Sequence, residues 1–141
     1  MDEPNIEDDD LVGAAQAEVE RVILSHAPEC ADVLREIHEY WSDELPIGPS
    51  QLLLEFGNRY LLPELGRQRH VSDGIRKVFD AVEELLANGE EFIAESAYFG
   101  CVESLGELVS YVEPQDVGWR VAYEIKSTYP AWHGDPLNSR H

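Results

Sequence analysis

The clearest pattern of apolar and polar positions lies between residues 72 and 111, and it predicts two helices joined at Asn88-Gly89. In the first half, apolar residues recur three or four positions apart, on one stripe of an α-helix. Residues 90–111 carry apolar or small side chains on most sides, a pattern typical of a central, buried helix. Gly100 and Gly106 are expected to let a neighbouring helix approach closely. The stripe of the first helix consists of Ile75, Val78, Phe79, Val82, Leu85 and Leu86.

Further segments show the same helical periodicity, separated by short stretches that contain proline or glycine. The predicted helices cover residues 11–25, 28–41, 49 to 63 or 66, and 115–127. No segment alternates between apolar and polar residues for long enough to predict a strand. The pattern predicts an all-α fold of about six antiparallel helices, arranged as a bundle or as a HEAT-like stack of helical hairpins.

The length of 141 residues suits one domain with a single core. We assign residues 11–128 to this helical domain. Residues 1–10 are rich in acids and are predicted to form a flexible acidic tail. Residues 129–141, rich in Pro, Gly and Asn, are predicted to form an irregular C-terminal tail, from which Trp132 can fold back onto the domain.

The formal charge is −19, from 29 acidic residues and 10 lysines and arginines. This balance disfavours binding to nucleic acid or to an anionic membrane surface, because both require cations on the protein. It suits a basic protein partner. The sequence has no apolar N-terminal signal and no apolar run of the roughly 18 residues that a membrane span needs. We therefore expect a cytoplasmic protein.

Motifs for catalysis or metal binding are missing from the sequence. It contains no Glu-x-x-His pair, no His-Glu-x-x-His helix, no Gly-x-Ser-x-Gly turn and no phosphate-binding loop. Cys30 and Cys101 lie in separate helical patterns and are expected to be reduced and buried, although whether they ever pair stays open. We predict no catalytic residue, no metal and no cofactor. A small helical enzyme built from distant carboxylates and His38 remains an alternative, as does a ligand held between helices.

Charge placement along the helix at residues 72–88 is unusual. Arg76 and Lys77 lie in its first turn, and Glu83 and Glu84 lie near its end. Both placements oppose the helix dipole, at a cost of about 0.3–1 kcal/mol per exposed charge. The acids that crowd the Asn88-Gly89 corner are therefore interpreted as a surface for a cationic partner. The alternative is that the fold simply tolerates these small penalties.

Several aromatic residues fall outside the predicted core stripes. Exposed aromatic side chains among acids are typical of protein-binding surfaces, because Tyr and Trp are enriched at binding hot spots. The alternative is that these rings cover secondary parts of the core. The residues predicted to bind a partner are Glu83, Glu84, Glu90, Glu91, Glu95, Tyr98, Trp119 and Trp132.

The run from Lys77 to Glu91, followed by a helix of small residues that ends at Val102–Leu105, resembles small acidic all-helical bacterial immunity proteins. These proteins accompany polymorphic or contact-dependent toxins and neutralise a cognate toxin. The resemblance covers about residues 71–110 and implies an inhibitor that occludes a basic site on a toxin domain. It carries over no binding residue. An adaptor or regulator that docks another partner is the alternative, and the oligomeric state stays open.

Overall fold

The computed structural model describes residues 4–44 and 46–140, with side chains from Asp10 onward. The described part contains no β-strand, and its seven α-helices confirm the predicted all-α fold, with one helix more than the approximate number expected. The helices are α1 (Pro4–His26), α2 (Ala31–Tyr40), α3 (Gly48–Phe56), α4 (Leu62–Gln68), α5 (Asp73–Leu86), α6 (Glu91–Cys101) and α7 (Trp119–Thr128).

The ends of the chain differ in structure. Helix α1 begins at Pro4, earlier than the predicted start at Leu11, and Pro is well suited to the first helical turn. Residues 1–3, Leu45 and His141 lie outside the described residues, and the flexibility of the acidic tail stays a prediction. After α7, residues 129–140 contain one short 3-10 turn, Pro136–Asn138.

Four helices form a closed ring around one core. Helix α1 packs against α3 and α5, and α6 packs against the same two helices. In a linear stack each hairpin would contact only its neighbours, so the contact between α1 and α5 makes this a bundle. Helix α7 packs on α5, and α2 packs on α3. The largest fully buried side chains are Phe56, Phe79, Ile23, Ile37, Leu52, Leu53, Leu61, Leu65, Ile75, Leu85, Leu105 and Ile125.

The closest helix contact joins α3 to α6 through two glycines. A Cβ atom on Gly100 would lie 2.8 Å from the backbone carbon of Leu53, and one on Gly57 would lie 2.6 Å from the carbonyl oxygen of Gly100. The predicted close approach at Gly100 is confirmed. Gly57 also begins a π-helical segment, Gly57–Leu61, that joins α3 directly to α4.

The second helix of the predicted hairpin is shorter than expected. Helix α6 ends at Cys101, and Glu103–Tyr111 forms a 3-10 segment interrupted at Gly106. Gly106 has φ 56° and ψ −133°, a conformation that residues with a side chain rarely adopt. A Cβ there would meet no atom within 4 Å. Helix α6 therefore ends before Gly106, which kinks the following 3-10 segment and makes no close contact. The predicted helix over residues 90–111 and the predicted close approach at Gly106 were both wrong.

Candidate protein-binding surface

The predicted acidic corner lies where α5 ends and α6 begins. The Oδ1 atom of Asn88 accepts a hydrogen bond of 2.8 Å from the backbone N–H of Glu90, which stabilises the turn. Glu90 and Glu91 follow at the start of α6, where the positive end of the helix dipole favours carboxylates. Within residues 10–44 and 46–140, neither carboxylate forms an ion pair. These two acids are thus stabilised by the helix and remain accessible to a partner.

A groove of about 330 Å³, here called the corner groove, lies between α1 and the start of α6. Leu11 from α1 and Phe92 from α6 line it, and their exposed fractions are 64% and 41%. Acidic side chains stand beside these apolar ones, which gives the groove a mixed apolar and anionic character. Its lining residues are Leu11, Ala14, Ala15, Glu18, Asn88, Glu90, Phe92 and Ile93.

The side of α6 that faces solvent carries Glu91, Phe92, Glu95 and Phe99, and we call it the outer face of α6. At 100° per residue these four positions fall within an arc of about 100°. Phe99 is 52% exposed. It follows Phe92 by seven residues, which corresponds to about 10 Å along the helix axis. The outer face therefore presents two phenyl rings, two turns apart, with carboxylates beside them.

A second groove, here called the aromatic groove, adjoins the outer face and has a volume of about 320 Å³. The Tyr98 hydroxyl shares a hydrogen bond of 2.7 Å with Oγ1 of Thr128, which fixes the tyrosine ring against α7. The rings of Tyr98 and Phe99 meet edge to face, with centroids 5.4 Å apart. The groove is lined by Leu86, Ala94, Glu95, Tyr98, Phe99 and Glu124.

Glu83, one of the acids assigned to the corner, is bound within the fold. Its two carboxylate oxygens accept hydrogen bonds from the backbone N–H groups of Arg120 and Val121, at 3.0 and 2.9 Å. These groups belong to the first turn of α7, which has no side-chain cap of its own. Gly118 leaves room for the carboxylate, because a Cβ there would lie 2.5 Å from its carbon. Glu83 therefore caps α7, so both of its carboxylate oxygens are already engaged within the fold, and its role in partner binding stays a prediction.

Glu84 is also bound by neighbouring residues. Its Oε1 atom lies 2.8 Å from Nε2 of His26, and its Oε2 atom lies 3.8 Å from Arg21. Both contacts join α5 to α1, and all three side chains are partly exposed. Glu84 was expected to face a partner, but its carboxylate instead contacts two side chains of α1.

The basic residues at the start of α5 also form ion pairs within the protein. Arg76 forms ion pairs with Asp73, at 3.3 Å, and with Asp116, at 2.8 Å. Lys77 lies 3.6 Å from Glu29. The charges on α5 that oppose its dipole are therefore matched by residues from other segments. The opposition to the dipole is a result of tertiary contacts and does not by itself indicate a binding site.

Trp119 and Trp132, the two tryptophans predicted to bind a partner, differ in exposure. Trp132 is only 4% exposed, and its indole N–H donates a hydrogen bond of 3.0 Å to the carbonyl oxygen of Val112. It folds back onto the domain, so the expectation that it forms part of an exposed aromatic surface was wrong. Trp119 is 42% exposed and stacks on Tyr123 at a centroid distance of 5.1 Å. Trp119 lines neither the corner groove nor the aromatic groove.

His38 meets a carboxylate, as the enzyme alternative required. Its Nε2 atom lies 2.7 Å from Oε2 of Glu20, which also accepts a hydrogen bond from the amide of Gln16. The side-chain oxygen Oε1 of Gln16 accepts hydrogen bonds from the backbone N–H groups of Ile47 and Gly48. The cleft beside this pair is lined by Gly13, Gln16, Ala17, Glu20, His38 and Pro46, which include no hydroxyl or thiol. This arrangement anchors the loop before α3 and places no hydroxyl or thiol nucleophile beside the His38–Glu20 pair.

Both cysteines are free and buried, which confirms the predicted burial. Burial raises the pKa of the Cys101 thiol to about 12. Burial, with a contribution from the charge of Glu29, raises the pKa of the Cys30 thiol to about 11. The thiolate is the reactive form, so neither side chain is an activated nucleophile at neutral pH.

The predicted residues that the structure does bring together are Glu90, Glu91, Glu95 and Tyr98, all on or beside the outer face of α6. Sequence reasoning missed Leu11, Phe92, Phe99 and Glu124. The seven-residue spacing of Phe92 and Phe99 was a usable signal, because it places both rings away from the arc that contains Ala97 and Gly100. Glu124 offered no such signal, since it belongs to a different helix.

Comparisons with protein-family models, with curated proteins and with solved structures find no match for this chain. The resemblance to immunity proteins therefore stays a prediction. Among the described helices, none combines the length and apolar composition that crossing a bilayer requires. In the described part of the chain, no three His, Cys, Asp or Glu side chains converge as ligands for a metal ion.

Proposed function

We propose that this protein is a protein-binding module that docks a basic partner on the outer face of α6. The proposal depends on one observation: Leu11, Phe92 and Phe99 are exposed near Glu90, Glu91 and Glu95, which have no cationic partner among the described residues. Glu18, the other acid of the corner groove, is paired with Arg21 at 2.7 Å. Exposed apolar side chains grouped in this way commonly mark protein interaction sites. Unpaired carboxylates select a positively charged partner.

The two kinds of side chain have different roles in docking. Glu90, Glu91 and Glu95 attract a basic surface and speed its association, an effect that salt weakens. Phe92 and Phe99 lose contact with water when the partner covers them, and this burial slows dissociation. The corner groove and the aromatic groove lie on either side and extend the contact area.

As a more specific proposal, the protein is an inhibitor of the immunity-protein type, which occludes a basic site on a cognate toxin domain. The sequence resemblance over residues 71–110 and the net charge of −19 support this class. An adaptor for another basic protein would use the same face. The cleft at His38 contains no serine, threonine or cysteine, so it lacks the nucleophile of a Ser–His or Cys–His site.

The test uses the proteins encoded by the genes on either side of this one as candidate partners, and a basic protein among them is the expected ligand. We expect a stable complex, with an association rate that falls as salt rises. The double variant Phe92→Ala/Phe99→Ala should bind at least about tenfold more weakly, as expected for the loss of hot-spot rings. Tyr40→Ala is the matched control, since Tyr40 is an exposed aromatic residue on α2.

Two results would contradict the proposal. One is an association rate that does not change between low and high salt. The other is an equal loss of binding for Tyr40→Ala and for the double variant on α6. Rescue of growth when the neighbouring protein is produced would separate the inhibitor from the adaptor, because only an inhibitor suppresses toxicity.

A further inference from the structure

We infer that the aromatic groove is a receptor for a single guanidinium group, which an arginine side chain of the partner inserts beside Phe99. The inference depends on the proposed function only for the source of this arginine. The preference for a cation comes from the groove itself. Three features of its lining support it: two aromatic rings, two unpaired carboxylates and an apolar base.

The aromatic rings form one wall of the groove. Tyr98 is held by its hydrogen bond to Thr128, so its ring is positioned before any ligand arrives. Phe99 meets it at an interplanar angle of 68° and remains half exposed. The electron-rich face of an aromatic ring attracts a cation, and guanidinium groups also stack on such faces. A ring that is already ordered loses little entropy on binding.

Two carboxylates from different helices supply the negative charge. Glu95 lies on α6 and Glu124 on α7, and both line the groove. Neither forms an ion pair or a side-chain hydrogen bond in the part of the chain that the structure describes. Arg120 precedes Glu124 by one helical turn but lines a different groove, with His26 and Arg140. In the described part of the chain, therefore, no cation is paired with either acid of the groove.

The apolar residues complete the complementarity to arginine. Leu86 and Ala94 provide a surface for the methylene groups of an arginine stem, while its charged end reaches the carboxylates. Arginine suits this lining better than lysine, because its planar group can stack on a ring and donate hydrogen bonds to carboxylates at the same time.

The test is an NMR titration of the full chain with argininamide, compared with citrulline amide, its uncharged isostere. We expect argininamide to shift the signals of Leu86, Ala94, Tyr98 and Phe99, with citrulline amide causing much smaller shifts. Glu95→Gln/Glu124→Gln should weaken argininamide binding about tenfold or more, because it removes both charged acceptors. Phe99→Leu should also weaken it, since leucine fills space but lacks a ring.

The control is Glu36→Gln/Glu39→Gln, which removes two exposed acids from α2 and should leave the titration unchanged. The inference is overturned if citrulline amide shifts the same signals equally, if the Glu95 and Glu124 double variant binds argininamide as well as the parent, or if no localised shift occurs up to about 100 mM ligand.

Because no protein partner is used, the outcome is independent of the proposed function. Argininamide binding together with failure of the neighbouring protein to bind would retain the guanidinium site and reject the proposed function. Binding of the neighbouring protein without binding of argininamide would retain the proposed function and reject the guanidinium site.

Discussion

The two sides of α6 have opposite roles although both carry apolar side chains. The inner side contains Ile93, Ala97 and Gly100, all buried, and it approaches α3 so closely that glycine is needed at the crossing. The outer side contains Phe92 and Phe99, which remain about half exposed. The inner side is saturated with contacts inside the protein. The outer side has apolar surface and charge that the described part of the chain does not use.

This difference explains why the apolar character of α6 exceeds what the core requires. A helix that only completes a bundle needs one apolar stripe, and polar residues on the rest of its surface cost nothing in stability. Helix α6 instead places phenylalanines at two exposed positions. Exposed phenyl rings reduce solubility, so their presence beside unpaired acids is more consistent with a docking role than with folding.

The largest expected effect is a difference in stability between alanine variants at two adjacent residues, Phe92 and Ile93. Ile93→Ala removes a buried side chain and should lower the free energy of unfolding by about 2–5 kcal/mol. Phe92→Ala removes a larger but exposed side chain and should lower it by about 1 kcal/mol or less. Urea unfolding of both variants measures the difference. Similar losses for the two would show that the outer side also belongs to the core, and the comparison would fail.

A second prediction concerns the crossing of α3 and α6. Gly100→Ala forces a Cβ to within 2.8 Å of the Leu53 backbone, which cannot move independently of α3. We expect a loss of about 1–3 kcal/mol in the free energy of unfolding, in spite of the better helix propensity of alanine. Gly89→Ala is the matched control, because a Cβ there would meet no atom within 4 Å. Thermal or urea unfolding that gives equal stabilities would contradict a close crossing.

Features of the fold that depend on local interactions could be predicted from the sequence, whereas features that depend on contacts between distant residues could not. Five of the six stripe residues, from Ile75 to Leu85, are buried as predicted, because helical periodicity is local and sets which side faces the core. Leu86, the sixth, is only partly buried. The kink at Gly106 in the 3-10 segment was missed, since a single glycine in a helical pattern is compatible with either outcome. The ion pair between Arg76 and Asp116 joins residues far apart in the sequence and could not be predicted from periodicity.

The same reasoning applies to the candidate surface. The start of α6, with Glu90 and Glu91, was predictable because the turn at Asn88-Gly89 is local. The interpretation that acids in this region act as one group was too broad. Only the fold shows which of them are already engaged, since Glu83 caps a helix that begins more than 30 residues later.

The prediction with the smallest expected effect tests whether Glu83 and Glu95 have different roles. Glu83→Ala removes the cap of α7 and should lower the free energy of unfolding by about 0.5–2 kcal/mol, while leaving the binding of argininamide unchanged. Glu95→Ala should have the opposite profile, with stability within about 0.5 kcal/mol of the parent and weaker binding. Urea unfolding and the NMR titration, applied to both variants, give four values. If Glu83→Ala weakened binding as much as Glu95→Ala did, the acids would act together as one charged surface, and the distinction between structural and docking carboxylates would be wrong.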